Sequence, residues 1–145
     1  MGVNEAIQFF YEDTDSFSLT EPDKTKAWIA NVIFNEGYSL TSINYIFCND
    51  DYLHQINLEY LNHDTYTDVI TFDGSEEEKS IEGEIYLSVE RIRENALSNN
   101  TCFINELHRV MVHGVLHLIG FNDKTKEEEE EMRKQEEAYL ELYPN

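Results

Sequence analysis

The chain has 145 residues, of which 41% are apolar. It is long enough to bury a core as one domain, and its composition excludes a largely disordered protein. Thirty acidic and ten basic residues give a net charge of −20, the opposite of the basic surface by which proteins grip nucleic acid phosphates. Such an acidic surface either docks on basic partners, for example ribosomal proteins, or only keeps the chain in solution.

We expect a cytoplasmic protein without a membrane anchor. No apolar run reaches the length of a membrane span, and the first residues, MGVNEAIQFF, lack the basic start and the cleavage site of a signal peptide. Cys48 and Cys102 are isolated and have no C-x-x-C spacing. They are therefore expected to be free, reduced thiols.

The pattern of apolar and polar residues predicts four strands and about five helices. β-branched and aromatic residues bounded by turns predict strands at 9–11, 42–48, 67–73 and 81–89. Helical spacing of apolar residues predicts helices over about 22–36, 50–61, 88–98, 103–119 and from 125 onward. Strands mixed with helices, without a repeat, predict a single domain over residues 1–145 of the α/β or α+β class, with one mixed four-stranded sheet.

Residues with known preferences mark the helix ends. Pro22 opens the first long helix and Gly37 follows it. Thr125 and Glu128 form a capping box for the last helix. The glutamates at 127–131 lie in its first turns, where the helix dipole favours negative charge, and are interpreted as a solvated face. The apolar residues of this helix that are expected to face inward are Met132, Tyr139 and Leu142.

The segment VMVHGVLHLIGFND, residues 110–123, carries the chemistry. His113 and His117 are four residues apart on a predicted helix, so their imidazoles project from one face with Cβ atoms about 5–6 Å apart. Gly120 supplies the left-handed residue that ends the helix, and Asp123 follows three residues later. The spacing H-x-x-x-H-x-x-G-x-x-D predicts a metal site formed by His113, His117 and Asp123, holding one zinc ion.

Three protein ligands leave one coordination position open, which is typical of a catalytic rather than a structural zinc site. Two histidines and a carboxylate also suit iron(II), so the ligand set alone does not choose between these metals. The alternative without a metal is a helix C-terminus with two buried histidines.

The same segment resembles the signature H-G-x-L-H-L-x-G-Y-D-H of the YbeY family. YTDVITF at 66–72 is similar to the family's P-T-D-V-L-S-F, and IEGEIYLS at 81–88 to its G-D-I-x-I-S. The similarity extends from about Tyr45 to Tyr143. The family comprises bacterial rRNA maturation factors that are regarded as zinc-dependent, single-strand-specific endoribonucleases. The resemblance implies a hydrolase acting in 16S rRNA maturation and ribosome quality control, with rRNA or the small ribosomal subunit as partner.

Two positions depart from the family's pattern. The third ligand of the family is a histidine, and this chain has Asp123 there, a residue type that also binds zinc. The family's L-N-x-x-Y-R carries an arginine that is thought to help in the active site, and INLEYLNHD places Leu61 at that position. His63, Arg91 and Arg93 are the residues that can replace its positive charge.

Asp68 aligns with the aspartate of the family's T-D-V. It is expected either to orient a ligand or the substrate, or to cap a turn. Glu84 stands where the family has an aspartate and is expected to face outward from its strand. His54 and His108 are expected to be ordinary surface or boundary residues.

Three functions fit these residues. The first is the zinc-dependent endoribonuclease that the resemblance implies. The second is a non-catalytic ribosome-assembly factor, whose fold is stabilised by the metal and whose acidic surface binds a basic ribosomal protein. The third is a metalloprotease, because the ligand spacing is similar to H-E-x-x-H-x-x-G-x-x-H/D. Gly114, however, stands where those peptidases need the glutamate that acts as general base.

Overall fold

The computed structural model describes residues 3–14 and 17–144 of the chain, which form four strands and six helices. The strands are β1 (Ile7–Tyr11), β2 (Ser39–Cys48), β3 (Val69–Asp73) and β4 (Ser80–Ser88). The helices are α1 (Val3–Ala6), α2 (Pro22–Asn35), α3 (Asp50–Leu61), α4 (Val89–Ser98), α5 (Phe103–Ile119) and α6 (Lys126–Glu141). The five predicted helices are confirmed, and α1 is a four-residue addition.

The sheet is mixed and has the order β1-β2-β4-β3. β1, β2 and β4 are parallel, and β3 runs antiparallel to β4. Parallel neighbours need long crossover connections, which the helices provide, whereas β3 and β4 are joined by a short loop. The single-domain α+β class with one mixed four-stranded sheet is therefore confirmed, and β3 forms one edge of the sheet.

The helix with the histidine motif lies at the centre of the domain. α5 packs against β3 and β4, and also against α2, α4 and α6. The hydroxyl of Tyr45 on β2 donates to the carbonyl of Met111 at 3.0 Å, and the indole of Trp28 donates to the carbonyl of Tyr139 at 2.8 Å. Each of these large side chains is buried, which contributes about 1.5–3 kcal/mol per side chain. The packing fixes α5 relative to the sheet.

α3 covers the opposite face of the sheet. A smaller apolar cluster of Cys48, Leu53 and Ile70 lies there. Cys48 and Cys102 are both free thiols, as expected, and Cys48 is buried. Burial, together with the charges of Asp13 and Asp50, raises the pKa of the Cys48 thiol to about 12, so this side chain remains a protonated thiol.

Side chains cap α3, α4 and α6, and the capping box predicted for α6 is present. Asn49 caps α3 and Ser88 caps α4, each by accepting a hydrogen bond from a backbone N–H in the first turn. Thr125 and Glu128 form both hydrogen bonds of the capping box of α6. Gly120 follows α5 with φ of +124°, a region that L side chains rarely adopt. The chain can therefore turn sharply where the histidine helix ends.

Three expectations from the sequence are wrong in detail. Leu142 does not face inward but is 66% exposed, because α6 ends at Glu141 and Leu142 lies beyond its apolar face. β3 starts at Val69 instead of residue 67, because its partner strand β4 ends at Ser88, the residue that caps α4. β2 starts earlier than predicted, because Ser39 pairs with the first residue of β4.

No helix in residues 3–14 and 17–144 combines the length and the apolar composition needed to cross a membrane.

Candidate metal centre

The end of α5 and the turn after it bring three metal-binding side chains together. His113 and His117 lie on the same face of the helix, one turn apart, with ring centroids separated by 4.6 Å. The turn at Gly120 then reverses the chain, so that Asp123 points back toward the two imidazoles. The structure thus assembles all three residues that the spacing predicts as ligands.

The distances within this group fit a tetrahedral zinc site. Oδ2 of Asp123 lies 3.3 Å from Nε2 of His117 and 3.5 Å from Nε2 of His113. Metal bonds of about 2.0–2.1 Å at tetrahedral angles place two ligand atoms roughly 3.3 Å apart. One nitrogen or oxygen from each of the three residues lies within 4.8 Å of the others. The group can therefore hold a metal ion.

One side of this ligand group opens to solvent. The side chains of His113 and His117 are 21% and 26% exposed, and that of Asp123 is 40% exposed. All three line a cleft of about 370 Å³ that runs along the edge strand β3. A metal held there is accessible to a substrate from this cleft.

Glu136 is the residue that sequence reasoning missed. Its Oε2 lies 2.6 Å from Nδ1 of His113, and its side chain is only 6% exposed. Burial alone lowers the pKa of His113, but the hydrogen bond to Glu136 and the charges of Glu136, Asp123 and Asp68 outweigh it and raise the pKa. A signal existed in the sequence, because Glu136 falls on the same helical face as the inward residue Met132.

Asp68 lies in the same cleft, just before β3. Its carbonyl accepts a hydrogen bond from the backbone N–H of Ser88 at 3.0 Å, and its carboxylate accepts one from the amide of Asn95 at 3.4 Å. Burial raises the pKa of Asp68, and the nearby charge of His113 reduces this effect. Asp68 is not part of the group that can hold the metal, so a role in orienting substrate stays a prediction.

Only one of the three residues expected to replace the family's arginine lies in this cleft. His63 lines it together with Leu61. Arg91 is instead paired with Asp50 at 2.6 Å, and the guanidinium of Arg93 lies 4.9 Å from the ring centroid of Phe103. The described residues that line the cleft include no lysine or arginine.

A second cleft of about 590 Å³ meets the ligand group from the side of α6. It shares His113 and Asp123 with the first cleft. Lys126 and Arg133 line this second cleft, and neither forms a salt bridge within the described residues. The remaining side chains that line it are Glu129, Glu130, Met132 and Glu136. The ligand group therefore lies between one cleft without lysine or arginine and one with two basic side chains.

The other singled-out residues lie away from the ligands, as expected. His54 lies on α3, and its Nε2 is 2.8 Å from Oδ1 of Asp64. His108 stacks on Tyr143 with ring centroids 4.1 Å apart. Glu84 is exposed and faces outward from β4.

The metalloprotease alternative has no support in the packing of α5. Gly114 is buried, and a Cβ atom there would lie 2.9 Å from Cγ2 of Ile85 on β4. A glutamate at this position, the general base of the H-E-x-x-H peptidases, has no room without movement of the helix or the sheet.

The fold and the ligand group define a small α+β domain in which a His-His-Asp group beside a sheet edge can hold a metal ion. Residues 11–144 match the protein family described as Endoribonuclease YbeY. The chain is 52% identical over 134 residues to the Endoribonuclease YbeY of Amoebophilus asiaticus, with 92% of this chain and 90% of that protein covered. It is 46% identical over 138 residues to the Endoribonuclease YbeY of Cytophaga hutchinsonii, with 95% and 96% covered. The chain belongs to the YbeY family.

A solved structure has the same fold. The solution structure of a protein from Thermotoga maritima superimposes with a TM-score of 0.63 at 29% sequence identity, covering 92% of this chain and 87% of that one. The resemblance seen in the sequence is confirmed, and family membership supports an endoribonuclease role. The expected enzyme class, hydrolase, is confirmed as well.

Proposed function

We propose that this protein is a zinc-dependent endoribonuclease that cleaves single-stranded RNA during 16S rRNA maturation and ribosome quality control. One observation carries the proposal. In a chain of an endoribonuclease family, Nε2 of His113, Nε2 of His117 and Oδ2 of Asp123 converge at the wall of an open cleft.

Zinc is supported by the chemistry and spacing of these three atoms. Two imidazole nitrogens and a carboxylate oxygen are common zinc ligands, and the distances of 3.3 and 3.5 Å suit tetrahedral coordination. When bound, the metal supplies a Lewis acid that neutralises charge on a phosphoryl oxygen. Iron(II) is the alternative that elemental analysis of the purified protein distinguishes.

The first cleft supplies the contacts that we assign to the substrate. Asp68 repels phosphate but can accept a hydrogen bond from a ribose 2′-hydroxyl group, the group that distinguishes RNA from DNA. His63 takes the place of the family's arginine, because its imidazole can donate to a phosphate oxygen from the same cleft. The cleft volume of about 370 Å³ suits an unpaired nucleotide, since a duplex presents no base or sugar that can enter so small a site.

The charge distribution explains how an acidic protein approaches RNA. Lys126 and Arg133 line the second cleft beside Glu129 and Glu130, so an RNA strand that crosses the metal ligands finds two basic side chains there as phosphate contacts. The chain as a whole has a net charge of −20, so the rest of its surface repels naked RNA. We assign this acidic surface to a basic ribosomal protein of the small subunit, which would bring the enzyme to its substrate in the cytoplasm.

A non-catalytic assembly factor is the second candidate. Leu61 in place of the arginine favours it, because the first cleft then lacks a permanent positive charge next to the metal ligands. In this case the metal would stabilise the turn after α5, and RNA cleavage would be absent.

The maturation of 16S rRNA in cells tests the proposal. We expect that cells whose only copy carries His117→Ala accumulate unprocessed 16S rRNA ends, although the variant protein is present at normal level. His54→Ala is the matched control, because this histidine lies on α3 and contacts Asp64, not the ligand group. Normal 16S ends in the His117→Ala strain would refute the metal-dependent enzyme and favour the assembly factor.

A further inference from the structure

We propose that Glu136 is a positioning residue for the metal centre: it fixes the ring of His113 so that Nε2 is presented to the metal, and Arg109 fixes Glu136. The inference rests on the proposed function, because it concerns the same metal site. It assigns a role to a residue on α6, outside the ligand motif on α5.

The two nitrogens of His113 have different partners. Nδ1 lies 2.6 Å from Oε2 of Glu136, a distance typical of a charge-assisted hydrogen bond. Nε2 faces Oδ2 of Asp123 at 3.5 Å, on the side of the ligand group. Because a carboxylate accepts and cannot donate, Nδ1 must carry the proton, and the lone pair of the neutral ring is then on Nε2. The contact with Glu136 therefore selects the tautomer that binds metal through Nε2.

Glu136 is itself held by a second partner. Nη1 of Arg109 lies 3.2 Å from Oε1 of Glu136, so each carboxylate oxygen has one donor. Arg109 and His113 are four residues apart on α5 and reach the same carboxylate on α6. The charge of Arg109 offsets the cost of burying Glu136, since a buried carboxylate without a partner is strongly unfavourable. Glu106 on α5 also contacts Arg109, at 3.9 Å.

The two histidine ligands are supported unequally. Nε2 of His117 faces Asp123 at 3.3 Å, and within the described residues no other carboxylate lies within ion-pair distance of His117. Of the two histidines, His113 alone contacts a carboxylate outside the ligand group among the described residues. A carboxylate behind a metal-bound histidine raises the basicity of the ring and limits its rotation. The metal affinity of the whole site should therefore depend on Glu136.

A purely structural role for Glu136 makes a different prediction. If the contacts with Arg109 and His113 only tie α6 to α5, removing the carboxylate lowers the stability of the metal-free protein and leaves metal affinity unchanged. If Glu136 positions His113, metal affinity falls as well, and the ring of His113 loses its fixed tautomer.

Zinc titration of the purified full-length chain separates the two roles. We expect Glu136→Gln to weaken zinc binding by about 10–100-fold, the usual effect of losing an outer partner of a metal ligand. The matched control is Glu137→Gln, which removes the same charge from the adjacent residue. The Glu137 side chain is 59% exposed and contacts Arg109 at 3.7 Å. This control should bind zinc within about twofold of the wild-type protein.

Nitrogen chemical shifts of the histidine rings in the metal-free protein give a second readout. The wild-type protein and Glu137→Gln should show the Nδ1–H tautomer for the neutral ring of His113, and Glu136→Gln a mixture of tautomers. If Glu136→Gln does not fold, Glu136→Asp keeps the charge near Arg109 but shortens the reach to His113. Its zinc affinity should then fall between the wild-type value and the loss expected for Glu136→Gln.

Wild-type zinc affinity and an unchanged His113 tautomer in Glu136→Gln or Glu136→Asp would overturn the inference and leave Glu136 as a structural tie. A wild-type protein that binds no zinc would instead refute the metal centre of the proposed function itself.

Discussion

Gly114 on α5 lies directly against Ile85 on β4: a Cβ atom at position 114 would lie 2.9 Å from Cγ2 of Ile85 and 3.1 Å from its Cδ1. The absence of a side chain lets the helix approach the sheet at this point. The neighbouring His113 and the next turn with His117 can then face the cleft beside β3. The glycine between the histidines thus serves the packing that places the ligands.

Gly114→Ala should therefore lower the stability of the metal-free protein. Overpacking against Ile85 costs about 1–3 kcal/mol, and the better helix propensity of alanine offsets up to about 1 kcal/mol of this. We expect a net loss of about 1–2 kcal/mol in denaturant unfolding. Gly74→Ala is the control, because the nearest atom to its added Cβ is 3.8 Å away. Equal stability of Gly114→Ala and the wild-type protein would show that the helix is not held this closely.

Substitutions at Asp123 should show whether its side chain binds the metal. Asp123→His restores the family's third ligand and should retain zinc at a ratio of about one per chain. Asp123→Ala leaves only two histidine ligands. Its zinc affinity should fall by more than about 100-fold, the largest loss usually seen when a residue behind a metal ligand is removed. Asp64→Ala, which removes an exposed carboxylate that pairs with His54 and is not in the ligand group, should bind zinc normally. Stoichiometric zinc in Asp123→Ala at wild-type affinity would remove Asp123 from the ligand set.

Substitutions in the first cleft should reveal whether His63 contacts the substrate. His63→Ala should lower kcat/KM for single-stranded RNA by about tenfold, the effect of one hydrogen bond to a charged group worth about 1.4 kcal/mol. Leu61→Arg should raise it, because Leu61 lines the same cleft and arginine adds a permanent donor to phosphate. His54→Ala is the control. If neither His63→Ala nor Leu61→Arg changes cleavage, the substrate does not pass this side of the metal.

The second cleft should contribute the electrostatic part of RNA binding. The double variant Lys126→Ala/Arg133→Ala removes the two basic residues that line it. Lys124→Ala/Lys134→Ala changes the net charge equally outside both clefts. We expect Lys126→Ala/Arg133→Ala, but not the control, to raise KM. It should also make the plot of log affinity against log salt less steep by about 1.4, the change expected when two phosphate contacts to a single strand are lost. Identical behaviour of the two double variants would exclude this path.

His108 should make folding stability depend on pH. Burial lowers its pKa to about 4, an effect that the charge of Glu21 only partly opposes. The unfolded chain, with a histidine pKa of about 6.5, takes up the proton first as pH falls. This contribution to stability is thus complete above about pH 6.5 and is lost as pH falls toward 4, amounting to roughly 1 kcal/mol by pH 5.5.

His108→Phe tests this because the aromatic ring can still stack on Tyr143 but does not titrate. Urea unfolding at pH 7.5 and pH 5.5 should show a smaller loss of stability for the variant than for the wild-type protein. An equal loss in both proteins would mean that His108 titrates normally in the folded state.

Local patterns predicted which three side chains come together at the candidate metal centre. His113, His117 and Asp123 are linked by one helix and one glycine turn, so their spacing alone determines that they meet. The same holds for the capping box of Thr125 and Glu128, whose atoms belong to one turn.

Contacts between distant elements were harder to predict. Glu136 reaches His113 only because α6 packs against α5, and the surrounding glutamates of α6 mask the one buried carboxylate among them. Leu142 follows the apolar spacing of α6 but is exposed, because the helix ends one residue before it. His63 lines the first cleft, whereas Arg91 is held away from it by its ion pair with Asp50.

Cleavage of one RNA sequence, presented either as a single strand or annealed to its complement, tests the central claim most directly. The protein is stripped of metal with a chelator and assayed before and after addition of one equivalent of zinc, beside His117→Ala treated in the same way. We expect internal cleavage of the single strand only by the zinc-loaded wild-type protein, and no cleavage of the duplex. Equal cleavage by the metal-free protein, or by His117→Ala, would contradict a zinc-dependent endoribonuclease at this site.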